Sequence, residues 1–215
     1  LNLKLKGEAN NYPSLQLSDR HICDLELIMN GSFNPLKSFM GKKDYNSVVK
    51  EMRLKDGTLW PMPITLDVDD KFISKISNSP KIALRNKEGF VLALLKIEDI
   101  WQPNLKLEAQ SVFGTKDTKH PGVHYLLKTS KKNYISGKIE KISSPHHYDY
   151  QDIRHTPEDL KLIFKNNKWD KVIAFQTRNP LHKAHFELTM RAMEDLNANL
   201  LIHPVVGMTK PGDVN

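Results

Sequence analysis

The rhythm of hydrophobic and polar positions changes near residue 154. Before it, apolar residues come in short runs broken every few positions by Gly, Pro, Asn or Asp. Behind it, two uninterrupted apolar runs flank one stretch of helical periodicity. The first run, Val172-Ile173-Ala174-Phe175, suits a strand buried on both faces of a parallel sheet. A polar turn, Gln176-Thr177-Arg178-Asn179, leads to Pro180, which is well placed at the first position of a helix. Leu181, Ala184, Leu188, Ala192 and Leu196 recur at helical spacing and predict one apolar stripe. The second run, Leu200-Leu201-Ile202 to Val205-Val206, completes a strand–turn–helix–strand unit. Crossovers of this kind are right-handed, so the turn and the helix start lie at the carboxyl end of the first strand, where open α/β sheets bind ligands.

The earlier part of the chain reads differently. Ser18-Asp19-Arg20 starts a helix over Ile22, Leu25 and Leu27-Ile28, with Asn30-Gly31 as its stop. Residues 44–52 form a short helix with Tyr45, Val48, Val49 and Met52 inside. Asp56-Gly57 turns into a strand over 59–66, pushed to an edge or an irregular path by Pro61 and Pro63. The β-like runs 81–85 and 89–97 flank a hairpin turn at Asn86-Lys87-Glu88-Gly89. Runs at 106–113, 123–127 and 134–142 follow, and together they predict a compact, mostly β domain resembling a small barrel. Residues 145–150 read as a linker. Thr156-Pro157-Glu158-Asp159 opens a helix that carries Leu160, Leu162-Ile163 and Phe164.

The polar turn at 176–179 carries the chemistry. His182 and His185 are three residues apart and share one face of the first helical turn, with Thr189 extending the row. One Arg, two His, two amide side chains and a helix N-terminus converge there, and no carboxylate is among them. That combination suits an anion, most simply a phosphate chain. Two plainer readings stand beside it. A polar strand–helix turn is common, and two His at this spacing form half of a metal site, although no Cys or acidic residue lies nearby at ligand spacing. Elsewhere, Asp117 and His120 suit a metal or a phosphate but suit a loop-ordering hydrogen bond better, and Trp60 and Trp101 read as core or domain-interface residues rather than stacking platforms for bases. Lys210 and Asp213 sit in a second loop at a strand end, where Lys210 could reach phosphates and Asp213 fix the loop, or the loop is a plain surface turn.

Composition narrows the class. With 39% hydrophobic and 27% charged residues, the chain is that of an ordinary globular protein, long enough for one large domain or two small ones. No stretch approaches a membrane span of about 20 apolar residues, and the first residues lack a signal-peptide core. The single cysteine, Cys23, fits a reducing cytoplasm and reads as a small buried hydrophobe. A formal charge of +7 favours anionic ligands, and composition alone leaves nucleic acid open among them.

QTRNPLHKAH at 176–185 closely resembles the signature of the ATP sulfurylase (sulfate adenylyltransferase) family, nucleotidylyltransferases with an H-x-x-H helix start. Residues 36–68, 113–123 and 207–214 are similar to further blocks of that family, in the family's order. The resemblance implies an α/β, multi-domain chain. Residues 1–153 would form a mostly β, PUA-like barrel, and 154–215 the start of a Rossmann-like nucleotidylyltransferase domain. Two strands do not make a stable parallel sheet alone, and the family's later Gly-Arg-Asp-His-type loop has no match here, so this second domain is expected to be truncated.

The implied reaction joins ATP and sulfate into adenosine 5′-phosphosulfate and pyrophosphate. Arg178 would hold sulfate and the transferring phosphate, Gln176 would orient sulfate beside the nucleotide, and Thr177 and Asn179 would contact the ATP phosphates. His182 and His185 would stabilise charge at the α-phosphate and on the leaving pyrophosphate. Mg²⁺ would arrive with ATP, no protein metal site is implied, and the full-length form is expected to be a cytoplasmic homo-oligomer. Another H-x-x-H adenylyltransferase and a PUA-like RNA-binding module are the rival readings. The ordered N-terminal blocks oppose the first, and the lack of aromatics interleaved on a basic face opposes the second. The expectation is therefore no nucleic-acid and no membrane partner.

Overall fold

A computed structural model describes residues 2–205. The chain divides into two compact units, Leu1–Ile153 and Arg154–Asn215. In the first, α1 (Leu3–Glu8) and β1 (Ser14–Gln16) precede α2 (Asp19–Met29) and α3 (Lys42–Glu51). Then come β2 (Leu66–Val68), α4 (Asp70–Ile76), β3 (Lys81–Arg85) and β4 (Val91–Trp101). The helices α5 (Leu105–Phe113) and α6 (Pro121–His124), a π turn (Tyr125–Thr129) and β5 (Asn133–Lys141) close the unit. The strands form one mixed sheet in the order β1-β3-β4-β5-β2, in which β1 runs parallel to β3 and the remaining pairs are antiparallel.

Local chemistry explains most of these elements. Ser18 caps α2 by accepting the His21 N–H, and Gly31 leaves the helix at φ +84, a conformation that needs a glycine. Leu25 and Ile28 of α2 and Tyr45 and Val48 of α3 pack on Leu66, Ile82, Leu84, Leu92, Leu95 and Ile135 of the sheet. The first half of β4 is buried at every position because both faces are covered, Leu92 and Leu95 by the main core and Leu94 by Ala9, Ala83 and Ile142. A bulge between Ile97 and Asp99 bends β4 opposite Gly137, where an added Cβ would stand 1.8 Å from the Lys96 carbonyl oxygen. Ser38 donates to the Gly137 carbonyl, and Asp99 accepts the Lys42 N–H at the start of α3.

Several expectations are corrected. The first unit is mixed α/β, not mostly β, because 105–113 and 121–129 are helical. Leu105, Ala109 and Phe113 are spaced four apart, the Asn104 side chain accepts the Leu107 N–H, and Gly114 ends α5 at φ +71. Ala109 then packs with Val123 and Leu126 as a satellite cluster. The strand placed at 59–66 begins only at Leu66, since the prolines at 61 and 63 donate no ladder hydrogen bonds. The helix α4, capped by Asp69, and the edge strand β1 went unread. Cys23 is exposed rather than buried. The segment read as a linker is anchored at His147, whose Nε2 lies 2.7 and 2.9 Å from the two carboxylate oxygens of Glu26 on α2.

Two carboxyl groups, those of Asp67 and Glu108, are buried among the described residues of this unit. Asp67 accepts from Arg20 Nη2 at 2.8 Å and from the Lys131 N–H at 2.8 Å, and His21 Nε2 stands 2.9 Å away. Burial alone would raise the Asp67 carboxyl, but the His21 hydrogen bond and charge, the Lys131 N–H and Arg20 together hold it below the usual carboxylate range. Glu108 accepts from the hydroxyls of Tyr45 (2.8 Å) and Tyr134 (3.0 Å), beneath Trp101. Burial pushes its carboxyl up against the opposing effect of those two hydrogen bonds.

The second unit comprises α7 (Pro157–Asn166), β6 (Val172–Thr177), α8 (Lys183–Leu196) and β7 (Asn199–Pro204). Thr156 and Asp159 form a reciprocal capping box at α7, with Pro157 at its first position. The Thr156 side-chain and backbone hydrogen bonds hold the Asp159 carboxyl below its ordinary value. β6 and β7 pair in parallel, joined by α8. Among the described residues no helix is long and apolar enough to cross a membrane.

Candidate functional site

The polar turn of the second unit sits where two parallel strands end together. Gln176 pairs with His203 and Thr177 with Pro204, and the Val205 N–H donates to the Thr177 carbonyl at 2.8 Å. Gln176 and Thr177 therefore belong to the last turn of β6, not to the loop. Pro180 does not open the helix. The helix begins at Lys183, and His182 is its N-cap, in extended backbone conformation with no side-chain capping bond. No acidic residue occupies the first turn of α8, so no carboxylate competes for its forward N–H groups.

The predicted residues are brought together in pairs. The Thr177 hydroxyl donates to the Asn179 carbonyl at 2.6 Å and accepts the Asn179 N–H at 3.2 Å, closing a tight turn around Arg178. Arg178 and Asn179 are exposed, as is Gln176. The rings of His182 and His185 lie 5.5 Å apart, and the ring of Phe175 on β6 lies 5.6 Å from that of His185. His185 Nδ1 is buried and meets no hydrogen-bond partner. One turn on, the buried Thr189 hydroxyl donates to the Phe186 carbonyl.

The inward face of α8 is thus the one carrying His185 and Thr189. Leu181, Leu188 and Leu196 of the expected apolar stripe are exposed. Periodicity says which residues share a helix face, but the strands beneath decide which face is covered. Among the described residues, the pattern of the sequence does not single out His203 at this edge. Its signal was faint: a histidine closing the second apolar run, level with Gln176 only once the strands pair. Lys210 and Asp213 lie outside the described residues.

The first unit carries polar clusters of its own. A groove of about 600 Å³ in that unit lies among Ser38, Gly41, Lys42, Lys43, Asp99 and Gly137. Of its four acids, Asp44, Asp56 and Asp99 are engaged with backbone N–H groups of Lys55, Thr58 and Lys42. His120 caps α6 by accepting the Val123 N–H, and Asp117 accepts the Lys119 N–H, so both order their loop. Among the described residues no three His, Cys, Asp or Glu side chains are grouped to hold a metal. At 176–185 side-chain donors and the forward N–H groups of a helix start lie close together in sequence, a combination suited to an anion.

Comparison with known proteins places both units in described families. Residues 2–144 match the PUA-like domain family, and residues 151–215 match the ATP-sulfurylase family. A sulfate adenylyltransferase of Chaetomium globosum is 51% identical over 99% of this chain and 37% of its own length. That of Saccharomyces cerevisiae is 49% identical, with 99% of this chain and 42% of the relative covered. The chain therefore spans about two fifths of the curated relatives it matches. Among solved structures, a hexameric APS kinase from Thiobacillus denitrificans superposes with a TM-score of 0.76 at 31% identity, covering 99% of this chain and 38% of that one.

Proposed function

The chain belongs to the PUA-like domain family and continues into an ATP-sulfurylase segment, and on that premise we propose that it forms part of a sulfate adenylyltransferase. In this reading residues 1–153 are the PUA-like domain, and 154–215 begin a Rossmann-like catalytic domain of which β6-α8-β7 is one crossover. A sulfate oxygen attacks the α-phosphorus of ATP, and the bond to the bridging oxygen of pyrophosphate breaks. Adenosine 5′-phosphosulfate and pyrophosphate are the products.

One observation carries the reading: the parallel strands β6 and β7 end level with each other, and the donor-rich loop between β6 and the open N-terminus of α8 contains no carboxylate. Sulfate is already ionised and a feeble nucleophile, so a general base would gain nothing. Catalysis must come from aligning two anions and offsetting their repulsion. Arg178 suits this because its planar fork grips paired oxygens of sulfate or phosphate. Gln176 orients sulfate at the strand end, Asn179 reaches the ATP phosphates, and Thr177 holds the turn that presents Arg178. His182 and His185, at the start of α8, face the charge that develops on the α-phosphate and the leaving pyrophosphate. Mg²⁺ comes on the ATP phosphates, which it prefers together with water to a protein cage. A cytoplasmic location, where ATP is abundant, and a homo-oligomeric full-length protein complete the reading.

The test is ATP formation from adenosine phosphosulfate and pyrophosphate by the full-length polypeptide. Activity that Arg178→Ala abolishes without unfolding the protein is the expected result. A folded Arg178→Ala protein with normal turnover, or a wild-type polypeptide without activity, would overturn it.

A further inference from the structure

Two buried side-chain nitrogens among the described residues lack a hydrogen-bond partner, Trp101 Nε1 and His185 Nδ1. They are not equivalent. The indole proton is fixed to its nitrogen, so Trp101 cannot relieve its orphan donor. An imidazole can, because its proton sits on whichever ring nitrogen finds an acceptor. We propose that neutral His185 carries its proton on Nε2, and that Phe175 is the positioning residue that seats the ring in this form.

The geometry points this way from both sides of the ring. Phe175 lies on β6, one residue before Gln176, and its ring packs against His185 at a centroid distance of 5.6 Å and an interplanar angle of 43°. A proton on Nδ1 would be a buried N–H with nowhere to donate, an arrangement rarer in proteins than an under-satisfied acceptor. Moving the proton to Nε2 leaves only a lone pair at the buried Nδ1. Nε2–H then becomes the single donor of the ring, while the His182 ring stands 5.5 Å from it, centroid to centroid. A ring fixed in this way offers a donor to an anionic oxygen with no tautomer change at the moment of reaction. The consequence for catalysis rests on the adenylyl-transfer reading above. The tautomer itself does not.

The experiment is ¹⁵N NMR of the full-length protein labelled at histidine, with the His185 signals assigned by His185→Gln. Under conditions where the ring is neutral, the expected result is an excess of the Nε2–H form of at least about tenfold, as an unsatisfied buried donor is costly. Phe175→Leu is expected to bring the two tautomers toward a mixture, and Phe175→Tyr, which keeps the ring, to restore the wild-type ratio. In turnover, Phe175→Leu is expected to lower kcat about tenfold or more with the KM for ATP little changed, since the donor is misplaced rather than removed. An Nδ1–H signal in the wild type, or an unchanged ratio in folded Phe175→Leu, would overturn the proposal. If Phe175→Leu does not fold, the wild-type spectrum alone decides. A protein with the Nε2–H form but no adenylyl transfer would keep the tautomer and remove the reaction, whereas an active enzyme with Nδ1–H would do the reverse.

Discussion

Gln176 and His203 are register partners across the parallel pair β6–β7, one residue short of the point where both strands end. Paired residues on neighbouring strands stand on the same face about 4.8 Å apart, and both of these are exposed. If Gln176 orients sulfate as proposed, the same sulfate is within reach of His203. We expect His203→Ala to raise the KM for sulfate about tenfold, with a smaller effect on the KM for ATP, the size of one lost charge-assisted or neutral hydrogen bond. Initial-rate kinetics with sulfate varied would check this, and unchanged sulfate kinetics would remove His203 from the site.

Thr177 is expected to act through Asn179. Its hydroxyl both gives and accepts a hydrogen bond there, so Thr177→Val loses the turn while keeping the branched shape. The expected fall in kcat/KM is about 10- to 100-fold, the scale of a catalytic group displaced by about 1 Å. Thr177→Ser keeps the hydroxyl and should retain most activity. Equal losses in both variants would point instead to a lost packing contact.

Asp67→Asn tests the ionic core of the first unit. The variant keeps the shape but leaves Arg20 with only the more distant Asp24 carboxylate at 3.5 Å, and we expect a loss of about 2–4 kcal/mol, since Arg20 is still partly exposed. The folded-state carboxyl sits below its ordinary value, so its stabilisation is present above about pH 4 and is lost as pH falls through the depressed value. Denaturant melts at neutral pH and near pH 3 should show the gap between wild type and variant closing in acid. A gap independent of pH would mean the loss is steric.

Glu108 gives the opposite sign. Its folded carboxyl is raised by burial, so the folded state holds the proton more tightly than the unfolded state, and stability falls as pH rises from about 4.3 toward the raised value. Glu108→Gln removes that penalty and is expected to melt at or above the wild-type temperature at pH 7, with the difference vanishing near pH 4. Glu108→Leu strands the hydroxyls of Tyr45 and Tyr134 and should cost about 1–3 kcal/mol for each. A Glu108→Gln protein markedly less stable than wild type at pH 7 would show that the ionised carboxylate is the favoured form.

What could be read early was local. Ser18, Thr156 with Asp159, and Gly31 announce their helix ends because caps depend on a few neighbouring atoms. The Asn86–Gly89 turn announces its hairpin for the same reason. The run at 106–113 fits strand and helix periods alike, as a short apolar segment does. Only its packing on Val123 and Leu126 settles the matter. Cys23 shows the same limit from another side, since exposure is a property of the neighbours that the fold supplies.

The sequence by itself determined the donor-rich, carboxylate-free chemistry of 176–185 and the strand–helix–strand order around it, because residue type and hydrophobic period are written in consecutive positions. Tertiary structure alone decided that Gln176 stands level with His203, that Phe175 closes over His185, and that α8 turns the His185–Thr189 face inward and leaves Leu188 outside. Each of those depends on strand register or on which helix face is covered. Both are set by contacts between residues distant in the chain, and no local pattern encodes them.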